Sequence, residues 1–486
     1  MKLFRLPGGI HPHTCKTLSS DQPIQSLPLP EWLHIPLQQH IGAPAKPVVK
    51  VGDLVYKGQV IAVSQGAISA PVHASTSGKI AAIGNYPAPH PSGLPIFTIT
   101  LKPDGEDRWL EQEVPNDPLT LSPEAIAMRV NAAGIVGLGG ATFPTAVKLN
   151  LGRRSQVHTL IINGSECEPY LTCDDRLMRE RTMAVVKGIR LIRHAIGAQT
   201  VLVGIEDNKS QAIAAMQFAT LGTEIQIVPV PTLYPMGSDR QLVQVLTGKE
   251  VPADGRLADA GLLMHNVGTA YAVYQAIYLG RPLVSRIVTV SGGAVAKPSN
   301  LEVPMGTLVE ELFRFCGGFR ETPVRLLMGG PMMGIHLTNT QVPVIKGTSG
   351  VLAFTAQEIS CNAVSPCIRC ANCLRACPVG LLPLEMAAHI RAHDLNGAIR
   401  LGLKDCIACG SCAYVCPAHI PLVHYFSYAK GELVARERIK LKQEATRKLA
   451  EERIERQARL TREREAAAAA RQTAKEKQAK ALAEAI

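Results

Sequence analysis

A chain of 486 residues exceeds what one hydrophobic core organises, so a single fold is excluded and, at roughly 100 to 200 residues per domain, about three to five units are expected. Hydrophobic residues make up 46% and charged residues 19%, near the globular average, which excludes a wholly disordered, collagenous or mucin-like chain. The net charge is +11, with sixteen basic against ten acidic residues from Lys430 onward; only 4% of residues are aromatic, which argues against base stacking, so no nucleic-acid partner is expected.

In chain order, the first unit runs from about Ile35 to Thr100, where short β-rich stretches alternate with turns at Gly52-Asp53, Lys57-Gly58 and Ser77-Gly78. The pattern resembles the barrel-sandwich hybrid of biotinyl and lipoyl carriers. No lysine stands in the hairpin Val63 to Pro71, where a carrier would be modified, so a docking module without a prosthetic arm, or a plain structural sandwich, is expected. His73 reads as structural rather than as a ligand.

A helix is expected from Ser122-Pro123, with Ser122 as cap, to a stop at Gly134. The glycine-rich segment GLGGATFPTAVK, Gly137 to Lys148, follows and leads into a helix near Pro144. Strand patterns at His158 to Asn163, Thr200 to Gly204 and Ile225 to Val230 then alternate with helical ones at Asp175 to Ala195, Lys209 to Ala219 and Asp239 to Thr247, the signature of an α/β layered domain. From Arg286 to about His336, strands around one short helix resemble a soluble-ligand-binding β-grasp domain, either a spacer or a binding unit. The expected division is 1–115, 116–285, 286–350, 351–429 and 430–486.

Residues 367 to 378 read CIRCANCLRACP and residues 406 to 417 read CIACGSCAYVCP, each a C-x₂-C-x₂-C-x₃-C-P run that holds a cubane iron–sulfur cluster. Three thiolates two residues apart wrap one cluster, and in two-cluster ferredoxins the fourth serves the other. The expected sets are therefore Cys367, Cys370, Cys373 and Cys416 for one [4Fe-4S] centre, and Cys377, Cys406, Cys409 and Cys412 for the other. Structural zinc is the competing reading, but paired four-cysteine runs ending in proline are foreign to it. The intervening LPLEMAAHIRAHDLNGAIR has helical periodicity, as in the α-helical ferredoxin type. Cys316 and Cys361 are expected to be inert, and Cys167 and Cys173 to serve local packing.

The glycine loop alone is weak evidence, since any tight loop uses glycines and it does not follow a strand as the dinucleotide fingerprint requires. The segment NGSECEPYLTCDDRLM places Asn163, Glu166 and Glu168 at a strand's C-terminal end, where ligands bind in α/β sheets. Together the two segments resemble the FMN- and NADH-binding subunit of respiratory complex I. With YPMGSDRQLVQVLTGKEVP and the paired cysteine runs, the chain over roughly residues 1 to 430 resembles the RnfC family, the C component of the Rnf/Rsx electron-transport complex.

That resemblance implies a multidomain α/β architecture: barrel-sandwich hybrid, complex I flavoprotein-like domain, β-grasp domain, α-helical two-cluster ferredoxin domain and C-terminal helix. It implies that Gly137, Gly139, Gly140 and Lys148 hold the phosphate side of FMN, and that Asn163, Ser165, Glu166, His265, Asn266 and Thr269 contact the flavin. Phe143 and Glu168 match positions contacting the nicotinamide nucleotide, NADH or NAD. Ser238-Asp239 replaces the acidic pair of the complex I relative, a departure that bears on nucleotide affinity. The implied function is electron transfer between NADH and ferredoxin or another low-potential acceptor through FMN and two [4Fe-4S] clusters, coupled to ion translocation by partner subunits. The alternative is a flavin-free iron–sulfur scaffold.

No run of about 18 apolar residues occurs, and MKLFRLPGGIHPH lacks the apolar stretch of a secretory signal. A peripheral protein on the cytoplasmic side of the inner membrane is expected, touching the membrane surface, the other Rnf/Rsx subunits and a ferredoxin-like carrier. The segment Leu433 to Ile486 has no Pro, Cys, aromatic or Gly and is expected as one long exposed helix, solvated or docked on anionic lipid.

Overall fold

The computed structural model describes residues 3–484 apart from 91, 253 and 360–362, so Cys361 lies outside the described residues. The chain divides into two compact units, 1–385 with 405–423 and 386–404 with 424–486.

In the first unit, alternating Val, Ile and Leu build two small antiparallel sheets. One runs in the order Leu33–Pro36, Pro95–Pro103, Gly78–Pro87, Leu54–Val55, the other Lys46–Pro47, Val60–Val63, Val72–His73. Their shared core of Leu33, Ile35, Ile61, Ile80, Ile99 and Leu101 is fully buried, as the period-2 pattern demands. Gly78 is required by close approach, since a Cβ there would stand 2.2 Å from the Lys102 carbonyl oxygen. His73 is buried and hydrogen-bonds the Ala132 backbone.

The α/β layer holds a parallel sheet in the order Ile225–Val230, Thr200–Glu206, Thr159–Asn163, Leu262–Asn266. Its strands are near-continuous apolar runs because helices bury them. The first helix, Pro123–Ala132, begins where the Ser122 hydroxyl accepts the Ala125 amide at 3.2 Å and ends before Gly134 at φ +64°. The single helix expected over Asp175 to Ala195 is two, Cys173–Glu180 and Thr182–Ile196. Arg181 breaks them at φ −121°, ψ 29°, and the Thr182 hydroxyl turns back onto the Met178 carbonyl at 2.6 Å, a side-chain competitor of the helical ladder.

The β-grasp sheet runs Ile24–Ser26, Ser299–Pro304, Ser285–Ser291, Gly350–Phe354, Arg325–Met328, Ile335–Leu337, beside the helix Val309–Phe315. Two of its strands cut across the expected divisions. Ile24–Ser26 pairs parallel with Asn300–Glu302, so part of the N-terminal segment leaves the hybrid domain. Gly350–Phe354 pairs with the strands on both sides, so the sheet extends past position 350. A three-residue strand carries too little periodicity to be read from sequence.

The three layers meet at Lys346, which is 1% exposed. Its Nζ donates to the carbonyls of Pro71 at 3.0 Å and Gly134 at 2.7 Å, with no carboxylate partner in these contacts. Burial pushes its pKa down to about 7.

The two cysteine runs lead into the short helices Asn372–Ala376 and Ser411–Tyr414. The segment between the runs forms Pro383–Arg391 and Leu395–Arg400, helical as its periodicity predicts. The helix Leu422–Glu484 ends the described chain and is exposed from Val434 to Ala483. Its first turns bury Leu422, Phe426 and Ala429; the exposed stretch is supported by Arg–Glu pairs such as Arg436–Glu432 and Arg447–Glu451.

Candidate functional site

Asn163 and Asn266 end adjacent parallel strands in register with each other, and the glycine loop closes over them. Gly137 N–H donates to the Phe143 carbonyl at 2.8 Å, so residues 137–143 form a closed loop ahead of the helix Thr145–Arg154. Gly140 sits at φ +112° with open space where a Cβ would be, whereas a Cβ on Gly139 would stand 3.2 Å from the Asn266 Cβ. The loop is pinned by the Thr269 hydroxyl, which accepts the Leu138 amide at 2.9 Å, and by Arg286, whose Nη2 donates to the Leu138 carbonyl at 2.9 Å.

The polar groups around this cleft are unevenly satisfied. Asn163 donates to the Gly237 carbonyl at 2.8 Å and accepts the Ser165 amide at 3.0 Å; Asn266 donates to Asp174 at 2.7 Å and accepts Gly268 N–H at 2.8 Å. The Ser165 hydroxyl and His265 Nε2 are buried without a hydrogen-bond partner among the described residues, the signature of polar atoms that a bound group would satisfy. Lys148 donates to the Met264 carbonyl at 3.2 Å; burial lowers its pKa, and Asp239 raises it. Burial, then Lys148, holds His265 well below the usual imidazole range. The open glycine cradle, a lysine and orphaned donors at strand ends fit a phosphorylated, hydrogen-bonding cofactor.

The Glu166–Leu171 turn carries two non-glycine residues in the left-handed region, Glu166 at φ +48° and Tyr170 at φ +66°. Glu166 accepts the amides of Asp174 at 2.7 Å and Asp175 at 3.2 Å, capping the helix Cys173–Glu180. The ligand-type atoms of Glu166, Cys173 and Asp174 lie within 4.8 Å of one another, and burial, then Glu166, pushes the Asp174 carboxyl up to about 7. The amides at this helix start and the Asn266 side chain account for the cluster. Glu168 reaches the β-grasp domain and accepts Met332 N–H at 3.0 Å and Met333 N–H at 2.8 Å; burial pushes its pKa up to about 7. Phe143 is half-buried in the glycine loop.

The cysteine runs fall into two electrostatic neighbourhoods. Cys373 feels Cys416 and Cys370; Cys412, pushed up to about 12 by burial, feels Cys409, Cys406 and Cys377. Backbone amides point at sulfur from Arg369 to Cys367, Leu381 to Cys377 and Ala408 to Cys406, at 3.3 to 3.4 Å. Such N–H···S contacts, with this donor set, fit thiolates shared with iron. The runs differ in exposure: Cys409 and Cys412 are buried, while Cys367 is exposed. Cys316 and Cys173 are buried in apolar cores, and Cys167 packs against the core around Met236 and Leu242.

Three groups went unread in the sequence. Tyr234 donates its hydroxyl to the Cys409 carbonyl at 2.7 Å and packs with Ile10, Ala376 and Cys409, against which Cys167 and Met332 lie. Arg286 holds the glycine loop from the β-grasp side. Lys16 donates into the Glu166–Leu171 turn. Each acts across more than 100 residues of chain, which no local pattern encodes.

Family comparisons agree with this layout. Residues 4–106 match the RnfC barrel-sandwich hybrid domain, 130–275 the Nuo51 FMN-binding domain, 287–336 the SLBB domain and 366–420 a 4Fe-4S dicluster domain. The C component of the ion-translocating oxidoreductase complex of Rhodobacter capsulatus is 54% identical over 439 residues, 90% of this chain and 85% of the relative. Its Pseudomonas aeruginosa counterpart is 48% identical over 96% of this chain and 60% of the relative. The C component of the proton-translocating ferredoxin:NAD(+) oxidoreductase complex of Clostridium ljungdahlii is 45% identical over 89% of this chain and 94% of the relative. At that identity and coverage, the chain belongs to the RnfC family of ion-translocating oxidoreductase complexes.

Proposed function

We propose that this chain is the peripheral NADH-linked subunit of an ion-translocating electron-transport complex, working between NADH and ferredoxin or another low-potential acceptor. Bound FMN supplies the exchange between two-electron hydride chemistry and one-electron transfer, and two [4Fe-4S] centres supply one-electron sites. In this reading Gly137, Gly139, Gly140 and Lys148 hold the phosphate, and Asn163, Ser165, Glu166, His265, Asn266 and Thr269 line the flavin. Phe143 and Glu168 stand on the nicotinamide side. Cys367, Cys370, Cys373 and Cys416 hold one centre, and Cys377, Cys406, Cys409 and Cys412 the other.

The observation that carries this reading is the contact between the cleft and the second cysteine run. Asn163 binds the Gly237 carbonyl, Tyr234 in the same loop binds the Cys409 carbonyl, and Met332, whose amide holds Glu168, packs beside them. That run therefore belongs to the cleft side. The first run touches the same loop through Ala376, while its start, with Val364, Cys367 and Ile368 exposed, is where other subunits or a ferredoxin-like carrier would meet it.

Among the described residues, no helix is long and apolar enough to cross a membrane, so ion movement falls to partner subunits. A peripheral position on the cytoplasmic face of the inner membrane suits the basic final helix. Anaerobic purification with iron, sulfide and flavin assays, followed by NADH addition, tests the reading. About eight irons, one FMN and bleaching by NADH are expected; eight irons without flavin, unbleached even after FMN is supplied, would leave a scaffold.

A further inference from the structure

The Glu166–Leu171 turn is held from outside its own domain by a single ammonium group. Lys16 Nζ donates to the carbonyls of Glu166 at 2.8 Å, Glu168 at 2.9 Å and Leu171 at 2.5 Å. An ammonium has three donors, and all three serve this one turn. The flanking backbone follows: Tyr170 N–H donates to the Thr14 carbonyl at 2.7 Å, and the Ser19 and Thr172 hydroxyls share a hydrogen bond at 2.8 Å.

The geometry points to why a cation is needed here. Glu166 and Tyr170 occupy the left-handed region, which L-residues avoid, so the turn holds this shape only if something outside it does the holding. With three carbonyls drawn toward Lys16, the side chains of Glu166 and Glu168 diverge. One reaches the amides of Asp174 and Asp175, the other those of Met332 and Met333. A single backbone N–H, with one proton, could not draw three carbonyl oxygens together, since they repel one another without donors between them.

We propose that Lys16 is a positioning residue for the flavin and nicotinamide cleft, acting through the backbone of Glu166, Glu168 and Leu171 to set both carboxylates. This rests on the proposed function for the identity of the ligands, but not for the shape of the turn. The N-terminal segment thereby acts on the site through the backbone of this turn.

The test uses the full chain with clusters reconstituted, as parent, Lys16→Met and Lys16→Arg. Lys16→Met is expected to weaken FMN binding at least tenfold in a fluorescence titration and to raise the NADH KM more than it lowers kcat. The EPR signals of both clusters should be unchanged. Hydrogen exchange should quicken within residues 166–172, and Lys16→Arg, which keeps charge and donors but in a planar fork, should fall between the two. Parent-like FMN affinity, KM and exchange in Lys16→Met would overturn the proposal, as would loss of flavin and clusters together, the mark of a general folding role. If Lys16→Met yields no soluble protein, Lys16→Gln carries the same readouts. A parent that binds no FMN would sink the functional reading instead; quickened exchange in the turn alone would then still uphold Lys16 as its holder.

Discussion

Two buried histidines beside a buried lysine give this molecule a pH response. His73 is pushed down to about 3 and His40 to about 4, each by burial first and Lys346 second. Both fall from an ordinary 6.5, so below that pH the unfolded chain binds protons that the folded chain refuses. Their stabilisation is complete above 6.5 and erodes as pH falls toward the folded values, at up to about 1.4 kcal/mol per pH unit for each group. His73→Gln, which keeps a donor for the Ala132 carbonyl, should flatten the decline of the urea midpoint between pH 6.5 and about 5.5; curves parallel to the parent would refute the assignment. Gly8 offers a second test. A Cβ there would stand 2.3 Å from the Cys377 carbonyl oxygen, at φ +66°. Gly8→Ala should displace Cys377 and lower iron from about eight toward four per chain, whereas a full complement would show that the N-terminal segment yields instead. The cysteines were legible because their spacing is their chemistry. Gly8, Lys16 and Tyr234 were not, because their partners lie far along the chain and only the fold supplies them.

At the scale of elements, the two cysteine loops make one structure from two sequence repeats. The neighbourhoods of Cys373 with Cys416, and of Cys412 with Cys377, lead to an exchange test. Cys416→Ser should alter the EPR signal of the centre built on Cys367, Cys370 and Cys373, and Cys377→Ser that of the centre built on Cys406, Cys409 and Cys412. If each change affected its own run, the fourth ligands would not cross. Glu168 offers another element-level test, because a Cβ on Gly330 would stand 2.3 Å from its Oε2. Gly330→Ala should push the carboxylate off the Met332 and Met333 amides and raise the NADH KM several-fold with cluster content unchanged; an unaltered KM would place Glu168 outside nucleotide binding. Long strands and helices of the α/β layer were legible from hydrophobic period. The Arg181 break and the strand Ile24–Ser26 were not, since one depends on a hydroxyl turning back and the other on a partner nearly 300 residues away.

For the whole molecule, the long final helix beyond its first turns contributes charge without core. Its residues from Val434 to Ala483 are exposed, so a chain ending at Lys430 should keep its iron, flavin and NADH response while shifting from the membrane fraction to the soluble one. Retention in the membrane fraction would assign attachment to the folded domains instead. The domain order was legible because each unit carries its own local grammar. The joints were not: Lys346 ties three layers through carbonyls of Pro71 and Gly134, and nothing in a lysine flanked by Ile345 and Gly347 announces it.

The N-terminal segment also sets a timetable. Residues 8–26 are made before every partner they bond to outside the segment, which include Ala376, Glu166, Asn300 and the strand Ser299–Pro304. Until those are made this stretch stays tethered and unplaced, a long-range closure of the kind that folds slowly. Because Gly8 and Gly9 rest on the backbone of Ala376 and Cys377, the strap can seat only once the first cysteine loop has its shape. Residues 8–26 thus act as a clasp, drawn shut against a loop that carries expected cluster ligands.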